Sequence, residues 1–372
     1  MLSKLYETKD KIENFVLTLH KQYENYVPVF FFSFGFILDV FTLGEVDDFS
    51  NILMLSLYLF IMLGILFAEL RDKPLIKINH PIWPKIQQYK IDIFHFLLGS
   101  LLSAFTLFYF KSSSFFNSFI FMFVMMVLLF ANELQIVQKK GLMIKVALSS
   151  LCLISYLIYI IPIIFGMVND WIFYLCLIIA IALSFLSYKV VNLNLDIDKK
   201  VSLKKLLLPQ SLVIFLFFIL YTLRVFPPIP LSLKHIGIYH EVTKEKIGIY
   251  KTSESRPWWN FWDNGDQNFL ARPNDKIYVF TKIFSPGGFS EKINMHWLYE
   301  VDGDFKTSDR IPLEITGGRS EGFRGFSFKE NYQEGNWQVR IETENGLEIG
   351  RIYFSVKQVQ SDYHLEFKTK YQ

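Results

Sequence analysis

Three groups of residues in this chain have the types and spacing to do chemistry. The first is aromatic. The stretch "RPWWNFWDN", Arg256 to Asn264, carries Trp258, Trp259, Phe261 and Trp262. Flat indole faces stack on sugar rings and other flat apolar ligands, and tryptophan is also enriched where protein meets the membrane–water interface. A third use of such a stretch is packing, with the loop folded back and its rings buried in their own domain. The second group is cationic. "TGGRSEGFRG" holds Arg319 and Arg324 among Gly317, Gly318, Gly322 and Gly325. Two guanidinium groups beside adjacent backbone amides can bind a phosphate or carboxylate. The plainer alternative pairs them with Glu314 or Glu321 and leaves the glycines to shape a turn.

The third group lies inside long apolar runs, where ionisable residues are functional candidates by default. Asp39, Glu69, Asp92, His95 and Glu133 belong to it. Three of them, Glu69, His95 and Glu133, fall near the same ends of their runs, with Asp92 beside His95, which would suit a proton or cation path. Against that, each stands within a turn or two of a run's end, where a side chain can snorkel to water and pair with Lys or Arg at little cost.

Enzyme signatures do not emerge. The chain has no His-Glu-x-x-His, no phosphate-binding Gly-rich loop with Lys, and no Gly-x-Ser-x-Gly turn. Its seven histidines, His20, His80, His95, His235, His240, His296 and His364, are scattered. No catalytic set, metal site or cofactor is read from this pattern.

The elements that must position these residues follow from a change of composition. From Pro28 to Arg224 the chain is a series of long apolar runs with short polar breaks, and from Pro227 onward it is mixed. A bilayer needs roughly 20 apolar residues per helix, which gives seven candidates near 27–43, 51–70, 93–110, 115–133, 142–165, 170–188 and 209–225. Lys and Arg in the short connections set orientation. Seventeen of them, including Lys4, Arg71, Lys140 and Lys205, fall on one side, and the other side contributes only Lys111. The N-terminus is therefore expected in the cytoplasm and residues after Pro227 outside. The first run, beginning near Val27, lacks a cleavage site and reads as an uncleaved helix.

After residue 230 the segments alternate with period two, as half-buried strands do. "HIGIYHEVTKEKIGIYKT" reads as a hairpin with Ile236–Tyr239 opposite Ile247–Tyr250, and Asn345-Gly346 is a hairpin turn. Trp297 and Trp337 fall on the apolar faces of their strands and are expected in a core. Seven or eight such strands predict an immunoglobulin-like β-sandwich. The expected organisation is an amphipathic segment 1–26, a transmembrane all-α bundle 27–226, a β-sandwich 227–360 and a tail 361–372. Cys152 and Cys176 both lie in the apolar half, so the β-domain has no disulfide. That domain is close to neutral, with 19 Lys/Arg against 20 Asp/Glu from Ile229 onward, which argues against nucleic acid as a partner.

Gly317–Arg319, Gly322–Arg324, the Gly-x-Trp-x-Val of Gly335–Val339 and the closing Gly350-x-x-x-Phe354 resemble the C-terminal domain of unknown function 2914. "PPIPLSL", Pro227 to Leu233, is similar to the junction in bacterial members that carry several membrane helices before this domain. The resemblance implies a protein of the bacterial inner membrane and envelope. It implies no activity.

The expectation is a multi-pass inner-membrane protein with a periplasmic β-domain that binds an envelope component, a cell-wall glycan or a protein partner, the helices serving as anchor in the bilayer. Two alternatives stand beside it: a transporter or channel with an accessory β-domain, and a sensor that signals through a recruited cytoplasmic partner.

Overall fold

In a computed structural model, residues 43–70, 83–112, 115–133, 141–193, 203–246, 248–316 and 322–372 are described, with residues 36, 37, 39, 41 and 201 besides. The amphipathic segment 1–26, most of the run 27–43, and Arg319 lie outside the described residues.

Six helices precede the strands among these residues: α1 (Phe49–Leu70), α2 (Trp83–Lys111), α3 (Phe115–Glu133), α4 (Leu142–Phe165), α5 (Asp170–Val191) and α6 (Leu203–Thr222). Five are long and apolar enough to cross a membrane. The sixth, α3, has a shorter apolar stretch, Ser118–Phe130. The expected count of seven is therefore not reached among the described residues. Helix α4 touches α1, α2, α5 and α6. Its buried Ser149, Ser150 and Ser155 are small enough to let neighbouring backbones approach, as at helix contacts in membranes. Outward-facing positions are apolar too: Phe60, Ile120, Ile178 and Leu212 are all exposed. A water-facing helix would carry polar residues there, so this surface is compatible with a bilayer.

The strands form three sheets. Order β1-β5-β8 joins Ser232–Tyr239, Ile277–Phe284 and Phe323–Lys329. Order β4-β10-β9-β6-β7 joins Asn268–Ala271, Glu348–Gln358, Gly335–Thr343, Ser290–Val301 and Asp304–Thr316. Order β11-β3-β2 joins Lys368–Tyr371, Ile249–Glu254 and Glu241–Lys246. Between the first two sheets lies the main core, with Ile238, Val279 and Ile283 against Met295, Trp297, Trp337, Val339 and Phe354. Trp297 and Trp337 are buried in it as expected. The third sheet packs on the other face of β1-β5-β8 through Tyr239, Val242, Tyr250 and Phe280. Strand β5, "IYVFTKIF", is thus apolar nearly throughout because both of its faces are covered.

An all-β domain follows the helices, as the alternating pattern predicts, but an immunoglobulin-like order does not follow from this arrangement. It has three layers, and β4 pairs parallel with β10. The expected hairpin of the two "IGIY" segments is also corrected. Ile236–Tyr239 belongs to β1 and pairs with β5, while β2 and β3 pair with each other around Gly248. Tyr239 and Tyr250, the ends of the two copies, meet in one cluster although their strands belong to different sheets. Residues 361–372, expected as a tail, supply β11, which pairs with β3.

The β-domain is docked on one end of the bundle. Lys234 pairs with Glu45 at 2.6 Å, the Gly287 amide donates to Asp47 Oδ2 at 3.0 Å, and Asn345 Nδ2 donates to Asn169 Oδ1 at 3.0 Å. Phe284 and Leu347 pack into the helical core, and Val168 packs against the β core. Gly166 ends α4 with φ of 69°. A Cβ there would stand 3.0 Å from the Gly288 carbonyl oxygen, so a side chain would be both strained by the backbone and crowded at the seam.

Candidate functional site

The aromatic stretch becomes a braced loop between β3 and β4. Its entry is held where the Ser255 amide donates to both oxygens of Asp266, at 3.0 and 2.9 Å. Across the loop, Arg256 pairs with Glu254 at 3.3 Å and donates to the Asp263 carbonyl. Asn260 Nδ2 donates to Asp263 Oδ2 at 2.6 Å. The exit is sewn to β1: Ile238 N donates to Asn264 O at 3.2 Å, and Asp266 N to Ile238 O at 2.8 Å. These bonds engage the loop's charged side chains and much of its backbone, while the rings stay more than half exposed. Trp258 is 84% exposed, Trp259 55%, Phe261 81% and Trp262 63%. The packing use of the stretch is therefore overturned, since the loop folds on its polar atoms rather than on its rings. Trp259 and Trp262 stand 6.1 Å apart at 53°, and Phe261 meets Trp262 edge-on at 5.1 Å. The result is an open, angled aromatic surface.

The loop's position bears on its use. It is rooted beside Ile238, four residues along β1 from Lys234, the residue that meets Glu45 at the helix ends. At about 3.3 Å per strand residue the root stands roughly 13 Å from that seam.

Beneath the loop lies a buried polar cluster that spacing alone did not reveal. His240 has Asp266 Oδ2 at 3.6 Å from Nε2 and Asp275 Oδ2 at 3.7 Å from Nδ1. Phe269 stacks on its ring at 4.1 Å and Phe367 meets its edge at 5.0 Å. Burial pulls the His240 imidazole down to about 4, with Asp275 opposing and Arg272 assisting. Burial also pushes the Asp266 carboxyl up to about 6, against its hydrogen bonds from Ser255, with Glu254 and Arg256 nearby. At neutral pH the imidazole is uncharged and the carboxylate carries the loop.

These two groups have opposite linkage. Asp266 holds its proton more tightly folded than unfolded, so its contribution to stability falls as pH rises from about 4 to about 6. His240 holds its proton less tightly folded, so its contribution falls as pH drops from 6.5 towards about 4. Within the shared window the slopes oppose. Relative to the parent, His240→Asn should lose stability as pH rises through this window, and Asp266→Asn should lose it as pH falls. Thermal melts of the full chain in detergent between pH 4 and 7 check this, and slopes of the same sign would contradict the assignment.

The other expected site residues lie away from this loop. Arg324 lies on β8, and its guanidinium passes beside the Gly248 turn, 3.8 Å from where a Cβ would stand. Its partner in the expected anion site, Arg319, lies outside the described residues. Glu69 pairs with Lys145 at 2.6 Å, and that ammonium also lies over the Phe94 ring at 5.8 Å. His95 Nδ1 contacts Asn132 Oδ1 at 3.2 Å. Asp92 is exposed on α2, and the side chain of Glu133 lies outside the described residues. At the end of the bundle that carries the β-domain, Asp39 accepts a hydrogen bond from Ser103 at 2.7 Å. Glu69 and Asp92, with Lys145, also lie close enough to His95 to act on its ring electrostatically, so these members of the intramembrane set are neighbours. No group of three or more His, Cys, Asp or Glu side chains arranged to hold a metal ion occurs among the described residues.

A family described as protein of unknown function (DUF2914) matches residues 290–356, the stretch from β6 to near the end of β10. No curated protein matches the chain. Among solved structures, the chain is similar to the Pseudomonas fluorescens alkylpurine DNA glycosylase AlkC bound to DNA containing an abasic site analog. The identity is 10%, the coverage 84% of this chain and 99% of that one, and the TM-score 0.22. A likeness that weak carries neither fold nor function.

Proposed function

We propose that the chain is a membrane-anchored binding protein. Its helices hold a β-domain outside the cytoplasmic membrane of a bacterium, and that domain captures a sugar-bearing envelope polymer on Trp258, Trp259 and Trp262. The observation that carries this reading is the braced loop with exposed rings. Monomeric proteins seldom leave such a contiguous apolar patch open unless something binds it. The rings are preorganised, so little conformational entropy remains to be lost on binding. Stacking of a sugar face against a ring needs no charge, which suits a loop whose charged groups are already paired. The loop root stands away from the helix seam along β1, which leaves room for a soluble polymer as its target.

The test is titration of the full chain in nanodiscs with solubilised cell-wall polysaccharide, read by tryptophan fluorescence. Saturable quenching that free lipid vesicles do not reproduce would support the reading, and quenching by vesicles alone would move the loop's target to the bilayer.

Orientation has its own test. The basic connections are expected inside the cell and the β-domain outside it. A reporter that works only outside the cytoplasm, fused after Gln372, should be active, and a cytoplasm-only reporter at the same position silent. The reverse pattern would invert the topology.

A further inference from the structure

The bundle half farthest from the β-domain contains a cavity of about 180 Å³ between α1, α4, α5 and α6. Its walls are mostly apolar, including Leu66, Leu153, Leu183 and Leu206, but Ser149, Ser187 and Gln210 also line it. The hydrogen bonds of these three fix what it can hold. Ser187 donates its only hydroxyl proton to the Ser184 carbonyl at 2.7 Å. Its oxygen can then only accept, and it does so from Gln210 Nε2 at 3.4 Å. That choice sets the amide orientation and leaves Gln210 Oε1 as an acceptor. Gln210 is more than nine-tenths buried, and Oε1 has no partner among the described residues. Ser149 is 1% exposed, and its hydroxyl is likewise unpartnered there. Its neighbour Ser150, by contrast, donates to the Val146 carbonyl four residues back at 2.8 Å.

An acceptor and a hydroxyl in one apolar cavity call for a group that both donates and accepts, because buried polar atoms are normally satisfied. The requirement is for a neutral group. Lys145, one turn before Ser149, is already paired with Glu69, so the cavity offers no free counter-charge to a carboxylate, phosphate or ammonium, and an unpaired ion would not enter. An apolar protein cavity of about 150 Å³ holds a benzene-sized molecule, so this one accommodates a headgroup and its first few methylenes. Leu186, exposed at its rim, leaves a way out to the surrounding lipid.

We infer that this cavity binds a neutral long-chain alcohol taken from the bilayer, its hydroxyl donating to Gln210 Oε1 and accepting from Ser149. The inference rests on the helices spanning a membrane and is independent of the aromatic loop.

The test uses the purified full chain in nanodiscs with three photoreactive probes of equal length: a long-chain alcohol, the alkane without the hydroxyl, and the fatty acid. The alcohol should label peptides of α4 or α6 at least about tenfold more than either of the others. Ser149→Ala combined with Gln210→Leu should bring alcohol labelling down to the alkane level. Leu153→Trp, which fills the cavity without touching the polar atoms, should abolish labelling by the alcohol. Gel filtration and thermal melting show whether each variant is folded. Equal labelling by alkane and alcohol would overturn the inference, as would alcohol labelling insensitive to both variants in folded protein. Absence of labelling by any probe would also overturn it, placing water or a segment of the chain itself in the cavity.

Discussion

Replacing Trp258, Trp259 and Trp262 together with Ser should abolish polysaccharide binding while leaving the melting temperature of the full chain within a degree or two of the parent. The asymmetry follows from exposure. All three rings are more than half open to solvent, and substitutions away from packed features usually change stability by less than about 0.5 kcal/mol. Binding is another matter, because aromatic anchors at a recognition surface each cost about 2 kcal/mol or more when truncated. Even with incomplete additivity, a loss beyond about 100-fold is expected. Fluorescence titration and a melt on the same preparation measure both quantities. A variant that melts early would return the rings to a structural role, and one that binds as well as the parent would remove them from recognition.

The second large effect concerns one glycine. Gly265 has φ of 75°, and a Cβ there would stand 1.9 Å from the Ile238 carbonyl oxygen. The obstacle is backbone within a strand, so it cannot swing aside as a side-chain end could. Gly265→Ala must therefore break the bridge to Ile238 and release the loop's exit. The left-handed conformation costs a non-glycine residue about 1–2 kcal/mol, and overpacking adds about 1–3 kcal/mol. The rings remain in the sequence but lose their fixed arrangement, and binding should fall about as far as in the triple Trp variant. Limited proteolysis should cut the variant between Arg256 and Asn264 faster than the parent. Undiminished affinity would mean that recognition does not depend on the loop's geometry.

These two predictions differ in how far the sequence could reach. Four aromatic residues in a short stretch were legible at once as a candidate. Their exposure was not, because it depends on Asp266 holding Ser255 and on Ile238 holding Asn264 and Asp266, partners brought from separate strands. His240, Asp266 and Asp275 gave no signal by spacing. Two aspartates that follow a histidine by 26 and 35 residues become its neighbours only when β1, β4 and their connections fold together. The same holds for Gln210 and Ser187, whose shared hydrogen bond joins two helices. Glu69 and His95, read from the sequence as lying at one depth, do stand within electrostatic reach of each other, while their hydrogen-bond partners Lys145 and Asn132 came only from the fold.

By itself the sequence determined the division into an apolar helical half and a β-rich half. It also picked out the five runs that form helices long and apolar enough to cross a bilayer, among the seven it proposed, and it placed Trp297 and Trp337 in the core. These follow from periodicity and length, which each segment carries alone. Only the tertiary structure decided that the first "IGIY" pairs with β5, that the last residues close a third sheet, and that the tryptophan loop stands open. Period two tells which face of a strand is apolar, but not which other element will cover it. That choice is made by the packing of all the faces together.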